Sequence, residues 1–232
     1  MPRRHPPVWL LDLDNTLHDA GSQVFPRINT AMTDWVAQRL GLPEASASAL
    51  RLHYWRRYGA TLLGLIRHHA IDPHAFLRET HPFPDLHRLV ARDHALRDAL
   101  RRLPGRKIVV TNGPYAYASA VLRLLGVAPL LDGLVTIEDM RFAGRWHPKP
   151  SRRMLRMICA RLRVSPASCV LVEDSVANLA DARAVGMRTV LVAAHTHGVA
   201  HPAHRPRAGV ARRVGVQLQS AVSLPRVAAR LR

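Results

Sequence analysis

Lysine is almost missing from this chain. Of its 34 basic residues only Lys107 and Lys149 are lysine; the rest are arginine. Cysteine is nearly as scarce. Cys159 and Cys169 lack the paired spacing of a zinc site and cannot build a disulfide framework, so a reducing, cytoplasmic setting is expected. No apolar run approaches the length needed to span a bilayer, which argues against a membrane protein. The basic start Met1-Pro2-Arg3-Arg4-His5 is followed by too short an apolar run to read as a signal peptide. Acidic residues are few, 16 in all, and the formal charge is +18. Such a charge suggests a polyanion partner. The arginines, however, are scattered rather than gathered in one tract. They read as a coding bias on the surface, so weak attraction to nucleic acid at low salt is expected and a specific site is not.

What the chain does contain is concentrated in a few segments. Val8-Trp9-Leu10-Leu11 is a short apolar run ending in Asp12-Leu13-Asp14-Asn15-Thr16. In a strand, residues two apart share a face, so Asp12 and Asp14 would emerge together at its carboxyl end. Open α/β sheets bind ligands at that end. Two adjacent carboxylates resist joint ionisation unless a cation lies between them, and a hard ion such as Mg²⁺ suits oxygen donors. The same residues also suit an Asp-rich turn in which Asp14 or Asn15 caps the next helix.

Three later segments bear on that choice. Ile108-Val109-Val110 runs into Thr111-Asn112-Gly113. Lys149 stands between two prolines. Val170-Leu171-Val172 runs into Glu173-Asp174. In a chain that uses arginine almost everywhere, Lys149 suggests a site wanting a compact ammonium rather than a planar fork. With Asp12-x-Asp14-x-Thr16 first, Thr111 second, Lys149 third and Glu173-Asp174 fourth, the chain resembles the haloacid dehalogenase-like (HAD) phosphatase superfamily. The four motifs fall in the superfamily's order across the whole length.

The resemblance implies Asp12 as nucleophile, forming an aspartyl phosphate, and Asp14 as general acid and base. It implies Thr111, Asn112, Gly113 and Lys149 around the phosphate. It also implies Mg²⁺ held by Asp12, Asp174, the Asp14 backbone carbonyl and Glu173. Dehalogenases of the superfamily lack the second aspartate, so Asp14 favours phosphoryl chemistry. Thr16 would support the loop. Ser175, Asn178 and Asp181 would stand behind the metal ligands or be ordinary capping and surface residues.

The 232 residues suffice for one core domain with a sizeable insertion. Strand-like and helix-like segments alternate after residue 90, which predicts a doubly wound parallel α/β sheet. Between the first two motifs the pattern is helical. Ile28, Met32, Trp35, Val36 and Leu40 recur at helical spacing before Gly41, and further helices are expected from Glu44, Thr61 and Pro73. The expected organisation is a core of residues 1–18 and 91–232 with an all-helical cap, 19–90, after the first strand.

Within the insertion, Tyr54-Trp55-Arg56-Arg57-Tyr58-Gly59 and the residues after it resemble the pyrimidine 5′-nucleotidase branch. That implies hydrolysis of nucleoside monophosphates such as UMP and CMP by a monomer or homodimer. Tyr54 and Tyr58 are expected to stack on a base and Arg57 to reach ribose or phosphate, while Trp55 is expected to pack the cap's own core. Two alternatives remain. One is a phosphatase of small phosphorylated sugars or acids such as phosphoglycolate. The other is a non-enzymatic polyanion-binding protein on the same scaffold, which a complete motif set argues against. His195, His197, His201 and His204 crowd a proline-rich loop without acidic or cysteine partners, so no zinc site is expected there.

Overall fold

The computed structural model describes residues 6–193 and 215–231; the four histidines of the C-terminal loop lie outside the described residues. Numbered in chain order, the strands are β1 (Val8–Leu11), β2 (Lys107–Val110), β3 (Gly133–Val135), β4 (Arg141–Phe142), β5 (Arg145–Trp146), β6 (Cys169–Glu173), β7 (Arg188–Val192) and β8 (Val216–Leu218). Six of them make one sheet in the order β3-β2-β1-β6-β7-β8, with every neighbouring pair parallel. This is the doubly wound α/β sheet the alternation predicts. The antiparallel hairpin β4–β5 was not predicted, because two-residue strands carry no legible alternation.

The sheet is covered on both sides. Trp9, Leu11, Val109, Val170 and Val172 point to one face and join α6 (His94–Arg102) and α7 (Tyr115–Leu124). Val8, Leu10, Ile108, Val110 and Leu171 point to the other and join α8 (Arg152–Leu162) and α9 (Val176–Ala184). The alternation follows from the two-residue repeat of a strand, and burial on both faces explains why these runs are continuously apolar. The strand order reverses between β1 and β6, so their carboxyl ends flank the crevice where such sheets place ligands.

After β1 come α1 (Val24–Leu40), α2 (Glu44–Tyr58), α3 (Thr61–His69) and α4 (Pro73–Glu79), which pack on one another. Gly41 ends α1 at φ 63°, a left-handed conformation open to glycine, and Asp72 caps α4 by accepting the His74 N–H. Val36, Ala47, Tyr54, Leu65 and Phe76 form a separate apolar cluster. The expected insertion is not uniform, however. Ala20, Val24, Ile28, Leu86 and Val90 belong to the sheet's own cluster, and the short α5 (Leu86–Leu89) packs on α7. The chain therefore leaves and rejoins the core several residues inside the 19–90 limits.

Helices α2 and α3 approach closely because Gly64 faces the Tyr54 ring: a Cβ at position 64 would lie 2.1 Å from Tyr54 Cγ. Alanine ordinarily favours a helix over glycine by about 1 kcal/mol. Here overpacking should reverse the sign, and Gly64→Ala should lose about 1–3 kcal/mol of stability in urea unfolding. A gain in stability would show that the α2–α3 contact yields easily.

Candidate active site

The site grows from the carboxyl ends of three neighbouring strands. β1 and β6 run parallel with Leu11 opposite Val172, and the Asp12 N–H bonds the Val172 carbonyl at 2.9 Å. Asp12 and Glu173 consequently leave the sheet side by side. β2, on the other side of β1, delivers Thr111. Lys149 enters from outside the sheet. Its peptide N–H donates to Asn112 Oδ1 (2.8 Å), and its carbonyl accepts from Asn112 Nδ2 (2.9 Å). The Asn112 side chain, expected at the phosphate, thus clamps the lysine loop.

The lysine ammonium donates to Asp12 Oδ1, to Glu173 Oε2 at 2.9 Å and to the Val110 carbonyl at 2.9 Å. All three donors of the ammonium are used. Asp12's other oxygen accepts from the Thr16 hydroxyl at 2.8 Å. Thr16 therefore supports Asp12, the expected nucleophile, directly as well as the loop. Asp12, Thr16, Thr111, Lys149, Glu173 and Asp174 are all buried. Thr111 Oγ1 accepts the Gly113 N–H at 2.9 Å, which curls the loop and leaves the threonine proton to donate elsewhere.

Asp12, Glu173 and Asp174 place carboxylate oxygens within 4.8 Å of one another. Burial pushes Asp12 up to about 7, reinforced by Glu173 and opposed by Lys149. Burial likewise lifts Glu173 to about 7, and burial together with Asp12 lifts Asp174 to about 6. Lys149 is raised by the two acids it bonds, against the pull of burial. Three buried carboxylates against one ammonium leave a deficit of positive charge. A hard divalent cation on an all-oxygen donor set answers that deficit.

Asp14 lives in a different environment. Its Oδ1 accepts from the Tyr117 hydroxyl at 2.6 Å and lies 3.0 Å from His18 Nε2. Burial would raise this carboxyl, but His18 and Tyr117 outweigh it and hold Asp14 below the ordinary range. Directly after the two aspartates Asn15 adopts φ 60°, a left-handed conformation that its short polar side chain tolerates, and its Oδ1 accepts the Gly21 N–H at 2.8 Å. β1 ends at Leu11, so both aspartates lie beyond the strand, Asp12 meeting Lys149 and Asp14 meeting Tyr117. Sequence reading missed His18 and Tyr117. His18, at i+4 from Asp14, offered a local signal; Tyr117, 103 residues away, offered none.

A cavity of about 580 Å³ opens above these groups, walled on the helical side by Phe25, Trp55, Arg56, Arg57 and Tyr58 and reached by Ser175 and Asn178. Two expectations are exchanged here. Tyr54, expected to face a base, is only 6% exposed, belongs to the cap's apolar cluster and bonds His69. Trp55, expected to pack that cluster, lines the cavity. The cause is the helical repeat: Ala47, Arg51 and Tyr54 form the buried stripe of α2, and Trp55 sits about 100° away from it. Tyr58 and Arg57 do reach the cavity. Asp181 does not; it pairs with Arg152 at 2.9 Å on the surface.

Comparison with known proteins agrees with this geometry. The chain is 24% identical over 197 residues to phosphate metabolism protein 8 of Saccharomyces cerevisiae, an alignment covering 79% of this chain but only 60% of the yeast protein. It is 30% identical over 196 residues to a plasmid-encoded phosphoglycolate phosphatase of Cupriavidus necator, covering 79% of each. Among solved structures, L-2-haloacid dehalogenase from Xanthobacter autotrophicus superposes with a TM-score of 0.60 at 16% identity, over 97% of this chain and 98% of that one. That likeness speaks to the fold. Residues 8–186 match the family described as haloacid dehalogenase-like hydrolase, and the chain belongs to that family.

Proposed function

We propose that this protein is a Mg²⁺-dependent phosphomonoesterase that works through a phosphorylated Asp12. The observation that carries the reading is the pair of aspartates two residues apart in opposed environments: Asp12 buried against Lys149 and two further acids, Asp14 held by His18 and Tyr117. The names of the relatives above fit phosphate-ester chemistry, and the free, buried cysteines fit a cytoplasmic setting.

The Asp12 carboxylate attacks phosphorus, and the bond from phosphorus to the leaving oxygen breaks. Asp14 gives that oxygen its proton, then takes a proton from the water that cleaves the aspartyl phosphate, releasing phosphate and restoring Asp12. The bonds to His18 and Tyr117 favour the Asp14 anion, the form that accepts a proton from water. The charge of an arriving phosphate opposes that anion and favours the protonated form needed first. The Thr111 hydroxyl and the Asn112 N–H hold the phosphoryl oxygens, the Gly113 N–H being bonded to Thr111 Oγ1. Lys149 keeps Asp12 aimed. Mg²⁺, held by Asp12, Asp174, Glu173 and the Asp14 carbonyl, would supply the charge that lets one anion approach another.

Helices α1–α4 act as the cap that selects substrate. Trp55 and Tyr58 beside Arg57 suit a nucleobase and ribose, which supports pyrimidine nucleoside 5′-monophosphates. The phosphoglycolate phosphatase relative supports a second reading, a small phosphorylated acid.

Asp12→Asn should lower phosphatase activity on a generic aryl phosphate by on the order of 10³ or more. Activity equal to the parent's would refute the nucleophile. Mg²⁺ at a hundred times its Kd should add about 2.7 kcal/mol to the parent's unfolding free energy and much less to that of Asp174→Asn. Tyr117→Phe should reduce kcat roughly tenfold with little change in KM or melting temperature, since it removes one hydrogen bond to a charged group. A matching loss of thermal stability would mean Tyr117 serves the fold. Across a panel of monoesters, nucleotide recognition predicts a higher kcat/KM for UMP than for ribose 5-phosphate or phosphoglycolate. The reverse order would select the small-acid reading.

A further inference from the structure

A second cavity, of about 210 Å³, lies between the cap and the sheet and shares Trp55, Gly59 and Asn112 with the catalytic cavity. Its walls are largely apolar, among them Met32 and Phe76, yet it contains the Arg51 side chain. Arg51 is 9% exposed. Nε donates to Thr33 Oγ1 at 3.2 Å and Nη1 to Asn29 Oδ1 at 2.8 Å. Both partners are neutral. Among the described residues no carboxylate forms an ion pair with this guanidinium. The other titratable group on the wall, His81, is pushed down to about 4 by burial and brings no charge at neutral pH. A buried cation without a counter-charge is costly, and remaining guanidinium N–H groups are matched in geometry to a planar anion.

We propose that Arg51 binds a second anionic group on the substrate, so that the enzyme acts on small phosphate monoesters that also carry a carboxylate. The proposal rests on the phosphatase reading and deepens its second form, the small phosphorylated acid, in place of the nucleotide. The phosphate occupies the loop at Thr111, and the carboxylate reaches past Asn112 and Trp55 to the cap guanidinium. The surface arginines Arg56 and Arg57 are exposed, where water and salt blunt their attraction. Arg51 is shielded from both, so it discriminates between substrates of equal size.

The test compares phosphoglycolate with 2-hydroxyethyl phosphate, and 3-phosphoglycerate with glycerol 3-phosphate, pairs that differ in the carboxylate. In the parent at least one carboxylate ester should exceed its uncharged counterpart in kcat/KM by roughly 10- to 100-fold, the worth of one hydrogen-bonded ion pair. Arg51→Gln should erase that ratio while aryl phosphate hydrolysis stays within a few-fold of the parent, and Arg51→Lys should restore part of it. A parent that treats both pairs alike overturns the proposal without any variant, which covers the case in which Arg51→Gln does not fold. Equal losses on every ester in Arg51→Gln overturn it in favour of a purely packing role. UMP turnover above all of these and insensitive to Arg51→Gln overturns it in favour of base recognition. If the parent hydrolyses no ester, the phosphatase reading fails instead. Calorimetric titration with phosphoglycolate then decides separately: binding lost in Arg51→Gln sustains the anion site, and absence of binding in the parent refutes it.

Discussion

One ammonium group organises this active site. Lys149 is the cation at the centre of a buried cluster that holds Asp12, Glu173 and Asp174, and it divides its three protons among Asp12, Glu173 and a strand carbonyl. Burying so many like charges requires an opposite charge and hydrogen bonds held in good geometry. The sheet holds that geometry. Asp12 and Glu173 are successors of paired strand residues in adjacent parallel strands, so their separation is set by the ladder rather than by side-chain preference. The lysine comes from a loop with no ladder to hold it, and the reciprocal amide pair with Asn112 replaces one. An arginine would bring a larger, forked cation to a space shaped for three short bonds. That accounts for a lysine at this position in a chain whose only other lysine is Lys107.

The same constraint accounts for the division between the two aspartates. Carboxylates two residues apart would share a face and compete for protons if the strand continued. The strand ends at Leu11, before either of them, and the turn that follows carries Asp14 to His18 and Tyr117. Asp12 is left among acids, which favour its proton, and Asp14 among donors, which favour its charge. Acid–base roles separated by surroundings rather than by residue type are a recurrent solution in enzymes.

How much of this was legible before the structure follows from how local each feature is. β1, β2 and β6 announce themselves because a strand buried on both faces must be apolar throughout, and the chemistry sits directly after each run. Helix ends at Gly41 and Pro73 were legible for the same reason: the cap residue adjoins the helix it caps. Tyr117 was not, because its partner Asp14 lies on another strand-to-helix segment and nothing in the intervening residues encodes the meeting. The exchange of Tyr54 and Trp55 is an intermediate case. Tracing Ala47, Arg51 and Tyr54 down one face of α2, with Gly64 as the small residue opposite, would have put Tyr54 inside; reading the aromatics as a group could not.

Arg51 shows where composition misleads. A formal charge of +18 invites explanation by a polyanion, yet most of these arginines are solvated and carry little energetic information. In such a chain residue type says little and burial says much. Lys149 stands out by its rarity, and Arg51 by lying in a largely apolar cavity with an amide and a hydroxyl as its side-chain hydrogen-bond partners among the described residues. The two cations also divide the labour of the enzyme. One is clamped on a loop at the carboxyl ends of the strands, among the carboxylates. The other belongs to helix α2, away from those carboxylates, where a single buried charge is proposed to choose among esters.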